Sequence, residues 1–436
     1  MDLDNINSVP SENPEKTPRK KRGVPVWVLL CAVFLAALVT FQATFVILTG
    51  SYNTALNKYS GEKSTVSKDL GKTYSIMDEI AGLFEKNYIY DLNYAELSEE
   101  MIRSYVYDYG DKYGEYYTAE ERMEEINDSN GNSAGIGILV AALYDKETRH
   151  IDEGLYVSHV MKDGPASNAG IVDGDIIVAI DEKSLKGMTY SESIDACRGE
   201  TGTNIDVTIK RNGEVMTVTV TRGSYTNETV LFSEKETNGH KIGYIRITEF
   251  YTITVEQFKN AVKSLLDDGC EGLVFDVRGN PGGYLTSIVN VLDYLLPKGP
   301  IVKLTYANGI ENTLTSDDNC VSGVPMAVIV NGSTASAAEL FTSAIKDYKY
   351  ATIVGTTTYG KGCGQNIYPL SNGGYVKITS FLYSPPFSGN YDGVGIEPDI
   401  VVELEGEAAS KNLFLLSEEE DTQLSAALND VLSKLK

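Results

Sequence analysis

The sequence predicts a multidomain α+β chain with a single N-terminal transmembrane helix, a small helical segment, a compact β-rich domain and an α/β domain. Three observations carry this prediction. An uncharged run near the N-terminus is long enough to cross a bilayer. A block of short β-branched strands broken by Gly, Asp and Asn follows, and a longer block then alternates strands with helices. With 436 residues and 42% hydrophobic content, the chain has material for two or three cores.

Composition excludes several classes of function. A net charge of -24 repels phosphate backbones, so no nucleic-acid partner is expected. Five cysteines without a C-x-x-C pair argue against a zinc ribbon or a thioredoxin-like site. Neither H-E-x-x-H nor a close histidine pair occurs among the three histidines, and no metal or cofactor is implied.

Residues 1–23 form a short tail that ends in the cluster Arg19, Lys20, Lys21 and Arg22. Residues 24–48 carry no charge and suit one span of a hydrocarbon core ~30 Å thick. A cleaved signal peptide is the competing reading, but its apolar region usually runs ~7–15 residues, and no A-x-A site follows Leu48. Because the basic cluster directly precedes the span, the tail is expected in the cytoplasm and the rest outside it, in a cell membrane crossed once. Residues 49–65 read as a linker.

Residues 66–130 show helical periodicity in Tyr74, Met77, Ile80, Ala81 and Phe84. Residues 131–225 form the β-rich domain, with expected strands at 139–143, 154–157, 175–180, 205–209 and 215–220 and a helix at 190–198. Residues 226–405 form the α/β domain, with strands at 242–247, 272–277 and 326–330 and helices at 255–266, 285–296 and 336–347. Residues 406–436 are acidic and end in an amphipathic helix at 424–435.

In the β-rich domain, Gly135-Ile136-Gly137-Ile138 can aim backbone N–H groups at one anion, a carboxylate above all. Alone, such glycines read more readily as a bend. Together with Gly164-Pro165-Ala166, Ala169-Gly170-Ile171, Gly174-Asp175-Ile176-Ile177 and Arg198-Gly199-Glu200-Thr201-Gly202-Thr203, they make the domain resemble the PDZ domain of bacterial proteases. That resemblance implies capture of an extended C-terminal peptide as an added strand.

The α/β domain holds two decoys. Gly355 to Lys361 has P-loop spacing, but Gly362 stands where a Ser or Thr should hold magnesium, and an exported ATPase is set aside on that ground. The histidines His150, His159 and His240 read as surface or linker residues rather than catalytic bases. The remaining candidate is Ser336 at a strand-to-helix turn, within Asn331-Gly332-Ser333-Thr334-Ala335-Ser336-Ala337-Ala338-Glu339. Taken alone, the segment fits an N-cap and a nucleophile equally. Lys361, between Gly360 and Gly362, is able to act as a base once burial leaves its amine partly neutral. Asp276-Val277-Arg278-Gly279-Asn280-Pro281-Gly282-Gly283 sits where a strand gives way to a helix, and its glycines can offer an N–H to an oxyanion beside that of Ala337.

Together these segments resemble the tail-specific carboxyl-terminal processing proteases, serine peptidases with a Ser-Lys dyad. The resemblance also takes in Gly393-Val394-Gly395-Ile396-Glu397-Pro398-Asp399 and spans roughly residues 75–402. It implies a ClpP/crotonase-like protease domain, with Ser336 as nucleophile, Lys361 as base and Gln365 as its assistant. Gly282, Gly283 and Ala337 would form the oxyanion hole. It further implies protein substrates with unstructured C-termini and a homo-oligomer built through the terminal helical segments. Thr334, Ala338 and Cys363 depart from the usual serines without touching the dyad. A membrane-tethered PDZ adaptor with a dead protease domain is the alternative, and intact Ser336, Lys361 and Gln365 argue against it.

Overall fold

The computed structural model describes residues 68–435, apart from residues 109, 146, 147, 149, 318, 319 and 322. The expected span at 24–48 lies outside the described residues, and no helix among those described is long and apolar enough to cross a membrane. Helix α1 (Lys68–Asn87) lies in a separate unit, residues 1–94.

Helix α2 (Tyr94–Asp108) is followed by strand β1 (Glu115–Tyr117) and helix α3 (Ala119–Ser129). The periodicity predicts a purely helical segment here. The short strand interrupts it because residues 115–117 pair with a strand from the far end of the chain, a contact that local periodicity does not encode. The start of α3 is set by a capping box, in which the Thr118 hydroxyl accepts the Glu121 N–H and the Glu121 carboxylate accepts that of Thr118.

The β-rich domain opens with β2 (Asn132–Gly135), β3 (Ile138–Tyr144), β4 (Ile151–Val160) and the short helix α4 (Pro165–Asn168). It continues through β5 (Ile176–Ile180), β6 (Lys183–Ser184), α5 (Tyr190–Cys197), β7 (Asn204–Arg211), β8 (Glu214–Thr221) and β9 (Gly223–Thr226). The sheet runs β3-β4-β5-β7-β8, which leaves β3 as an edge strand, while β2 pairs with β9 and ties the two ends of the domain together. Alternation along β7 buries Ile205, Val207 and Ile209 and exposes the residues between them or leaves them half-buried.

The third region contains β10 (Val230–Thr237), β11 (His240–Ile247), α6 (Thr254–Asp267), β12 (Gly272–Asp276) and α7 (Leu285–Leu295). Then come β13 (Gly299–Tyr306), β14 (Glu311–Ser316), β15 (Met326–Val330), α8 (Ala337–Asp347) and β16 (Thr352–Gly355). The last elements are β17 (Cys363–Pro369), β18 (Tyr375–Ser384), β19 (Ile400–Val401) and α9 (Thr422–Lys434).

Strands β10-β11-β12-β15-β16-β19 form one sheet, parallel from β11 onward. The apolar runs GLVFD and MAVIV of β12 and β15 are buried at every position, as parallel strands covered on both faces require. Helices α6, α7 and α8 cover one face through Phe258, Ile288 and Phe341. On the other face, Leu424, Ala427, Leu428 and Val431 of α9 pack on Ile242, Val274 and Ala327. The apolar face of α9 thus packs on the chain's own sheet. The carboxyl ends of β12 and β15 deliver residues 277–284 and 331–336 to one spot, where ligands bind in open α/β sheets. A second sheet, β1-β18-β13-β14 with β17 beside β18, packs on helices α7 and α8 through β13 and β14.

Candidate active site

Ser336 caps α8 with φ 56° and ψ -119°, a left-handed conformation that a residue with a side chain rarely holds. Strain of this kind costs of order 1–3 kcal/mol and persists only where the surroundings impose it. The surroundings here are the Glu339 carboxylate, which is fully buried and accepts the Ser336 N–H at 2.9 Å. The same carboxylate accepts the N–H groups of Gly360 at 2.6 Å and Lys361 at 2.8 Å and the Thr358 hydroxyl at 2.6 Å. Four donors thus converge on this one carboxylate in the first turn of α8. Glu339 is not among the sequence-predicted site residues; the signal that could have found it is an acid at the third position of the helix.

Lys361 reaches the same cleft by a different route. Gly360 has φ +88°, and a Cβ there would meet the Gly395 nitrogen at 2.9 Å; one on Gly362 would meet the Asn390 side chain at 2.7 Å. The two glycines let the lysine's backbone press against residues 390–395. The next element is strand β17 rather than a helix, so the P-loop spacing at Gly355 has no phosphate-binding helix behind it. Burial holds the Lys361 amine below the ordinary lysine range, with Lys377 pushing the same way and Asp111 and Glu339 opposing.

Ser336, Ala337, Gly283, Lys361, Gln365 and Tyr383 all line one cleft of about 240 Å³, with Leu285, Ile288, Leu340 and Phe381 as apolar wall. Among the described residues no hydrogen bond joins Ser336 to Lys361. Instead, the Tyr383 hydroxyl lies 3.5 Å from Ser336 Oγ and donates to the Lys361 carbonyl at 2.6 Å. Gln365 is likewise not on the amine: its Nε2 donates to Thr379 Oγ1 at 3.1 Å and lies 3.7 Å from Cys363 Sγ.

The expected oxyanion donors divide. Gly282 is excluded because its N–H already donates to Asn280 Oδ1 at 2.8 Å. Its role is close approach, since a Cβ there would come within 2.7 Å of Ser336 Cβ. The N–H groups of Gly283 and Ala337 have no acceptor among the described residues, and both residues line the cleft. Behind the glycines, buried Arg278 pairs with Asp276 at 2.6 Å and with Asp421, ahead of α9, at 2.7 Å.

At the PDZ-like turn, the carbonyls of Ile136 and Gly137 accept from Ala166 and Met161, while the N–H groups of these two residues are unclaimed among the described residues. Gly135 belongs to the β2-β9 ladder, and Ile138 opens edge strand β3. His159, expected as a surface or linker residue, is half-buried on β4 and bonded to Glu228 at 2.6 Å; His240 opens β11 at the surface.

A small PDZ-type sheet joined to an α/β layer, with a strained serine and a half-buried lysine on one cleft, defines a class: serine peptidases with a peptide-binding module. The chain matches Peptidase family S41 over residues 241–402 and the PDZ domain over residues 125–210. It is 30% identical over 392 residues to a probable CtpA-like serine protease of Staphylococcus haemolyticus, covering 88% of this chain and 74% of that one. A protein of the same description from Staphylococcus aureus strain MRSA252 is 29% identical over 394 residues, covering 90% and 75%. Among solved structures, a putative S41 protease from Bacteroides fragilis overlays with a TM-score of 0.52 at 16% identity, covering 74% of this chain and 87% of that one. The photosystem II D1 C-terminal processing protease gives 0.44 at 27% identity, covering 76% and 89%. This chain belongs to the S41 family of tail-specific processing proteases. It is a serine-type carboxyl-terminal processing peptidase.

Proposed function

We propose that this protein is a membrane-anchored endopeptidase whose PDZ module captures the C-terminus of an unstructured protein outside the cytoplasm and whose Ser336-Lys361 dyad cuts it. The anchor is residues 24–48, with 1–23 in the cytoplasm; the module is 131–225 and the protease domain 226–405. The observation that carries the chemistry is the meeting, in one cleft, of a strained serine, a half-buried lysine and two N–H groups unclaimed among the described residues.

In the reaction the Ser336 hydroxyl turns from Tyr383 to neutral Lys361, which takes its proton as Oγ attacks the scissile carbonyl. The carbonyl oxygen becomes the oxyanion held by the N–H groups of Gly283 and Ala337. The lysine ammonium then protonates the leaving amine, giving an acyl-enzyme and a neutral Lys361 that activates the hydrolytic water. Gln365, held by Thr379, lines the cleft near the amine and orients it once the amine moves. The Ile136 and Gly137 N–H groups receive the substrate's terminal carboxylate, and its chain adds to the open edge of β3.

The test is cleavage of β-casein by the full chain in detergent, without nucleotide or metal. Ser336→Ala and Lys361→Ala should each abolish fragments while thermal unfolding stays unchanged. Persistent cleavage by Ser336→Ala would sink the assignment. Sequencing the mature N-terminus tests the anchor, because a start beyond residue 48 means a cleaved signal peptide.

A further inference from the structure

The loop at residues 110–114, between α2 and β1, reaches Lys361 although it lies far from the catalytic segments in sequence. Asp111 fastens it. Its carboxylate accepts the Thr379 N–H at 2.7 Å, the Thr379 hydroxyl at 2.9 Å and the Tyr113 N–H at 3.1 Å. Just beyond, β1 pairs with β18 in the register Glu115 to Lys377, so the loop is held on both sides of Tyr113. This arrangement lays the Tyr113 ring against the base: Lys361 Nζ stands 4.3 Å from the ring centroid. A separation under ~6 Å is that of an ammonium engaged by an aromatic face. The Tyr113 hydroxyl is buried and has no partner at hydrogen-bond geometry among the described residues, with the Lys112 amine nearby over the ring, so the ring is the part that meets Lys361. Thr379 closes the circle, since Oγ1 donates to Asp111 and accepts from Gln365.

Building on the assignment of Lys361 as base, we propose that Tyr113 is a positioning residue: its ring, anchored through Asp111 and Thr379, holds the Lys361 amine in the cleft and replaces water over it. The ring's attraction for a cation favours the ammonium, while its bulk leaves the amine fewer water partners and favours the neutral form that accepts a proton from Ser336; burial is the largest influence on this amine, so the exclusion of water prevails. The other ionisable groups acting on the amine are Asp111 on the same loop, Glu339 on α8, Cys363 on β17 and Lys377 on β18, while Lys112 stands 4.6 Å from the centroid of the same ring. None of these covers it with an apolar surface. Unlike Ser336 and Lys361, Tyr113 moves no proton and touches no reacting bond; it acts through Lys361.

The experiment is steady-state kinetics of the full chain in detergent on a quenched fluorescent peptide with a free C-terminus. Tyr113→Leu should lower kcat about tenfold or more, because a misplaced base forfeits part of its effect, with KM within about twofold of the parent. Since burial is the largest influence on the amine, opening it to water should move the rising limb of kcat/KM to higher pH. Tyr113→Phe keeps the ring and should restore kcat to within about threefold and return the limb to its place. Asp111→Ala should lower kcat as Tyr113→Leu does, and the double variant should be no slower than either, as expected for residues acting as one unit, although loss of the Asp111 charge by itself pulls the limb toward lower pH. Parent kcat and an unmoved limb in Tyr113→Leu overturn the proposal when Lys361→Ala is inactive. So does a Tyr113→Phe enzyme as slow as Tyr113→Leu. An active Lys361→Ala enzyme instead overturns the dyad, which distinguishes the two failures.

Discussion

The backbone N–H groups of Ser336 and Lys361 converge on one oxygen, Oε2 of Glu339, at 2.9 and 2.8 Å. The nucleophile's turn and the base's turn are thus registered to each other through a buried carboxylate, although no hydrogen bond joins their side chains. The glycines on either side of Lys361 and the left-handed backbone at Ser336 are conditions for this convergence.

Glu339→Ala should therefore be costly in two ways. It leaves the buried N–H groups of Ser336, Gly360 and Lys361 without an acceptor, each worth about 1–3 kcal/mol. Denaturant unfolding should show a loss of several kcal/mol. Glu339→Gln retains one acceptor oxygen and should lose less stability but still about a hundredfold in kcat, because the Ser336 and Lys361 turns separate. A Glu339→Gln enzyme with parent kcat would show that the registration is incidental.

The second prediction concerns pH. Lys361 must be neutral to accept a proton, and its amine lies below the ordinary lysine range because of burial. The sign is fixed: activity rises with pH as the amine loses its proton, with a midpoint below that of a free lysine. Lys361→Arg keeps a cation but remains charged at every accessible pH, so it should be inactive throughout rather than shifted. A flat kcat/KM profile for the parent from acid to alkaline pH, at constant affinity, would contradict the neutral-lysine mechanism.

Much of the catalytic layer was legible because its strands are continuous apolar runs and its helices strongly periodic; the expected strand at 326–330 coincides with Met326–Val330. The second sheet was not. Strand β18 is mostly half-buried along its length, so it lacks the alternation that marks a one-faced strand. Ser336 and Lys361 stood out through small-residue turns, a local signal. Tyr113, Asp111 and Tyr383 join the site through contacts that no local pattern records, and the loss of Gly282 as a donor depended on where the Asn280 side chain points.

The third prediction is about the C-terminal helix. Asp421 precedes α9, caps it through the Leu424 N–H at 3.0 Å, and pairs with buried Arg278 at the root of the oxyanion loop. Asp421→Asn keeps the cap and removes the charge, so it isolates the ion pair. Breaking a buried pair should cost about 3 kcal/mol in urea unfolding, and kcat should fall as residues 278–283 loosen. Arg278 still faces Asp276, whose carboxyl is resisted by burial but held down to about 2, chiefly by the Arg278 charge. A depressed carboxyl stabilises the fold above its unfolded value near ~3.9 and loses that contribution as pH falls toward the folded value. Acid titration of stability should show this loss between roughly pH 4 and 2, the window set by those two values. Unchanged stability in Asp421→Asn would mean the helix is held by its apolar face alone.

The last prediction is that cleavage depends on the substrate's free C-terminus. The Ile136 and Gly137 N–H groups are unclaimed, and the edge of β3 is open beside them, so a carboxylate and the strand leading to it have a place to bind. Amidating the terminal carboxyl removes the charge and should weaken binding by about 1.5–3 kcal/mol, the usual worth of a hydrogen bond to a charged group. That corresponds to roughly a ten- to hundredfold loss of kcat/KM well below saturation. The loss should fall on KM rather than kcat, because the turn is separate from the Ser336 cleft and lines none of it. Equal kcat/KM for the free-acid and amidated forms of one peptide would leave a peptidase whose PDZ module reads something other than the tail.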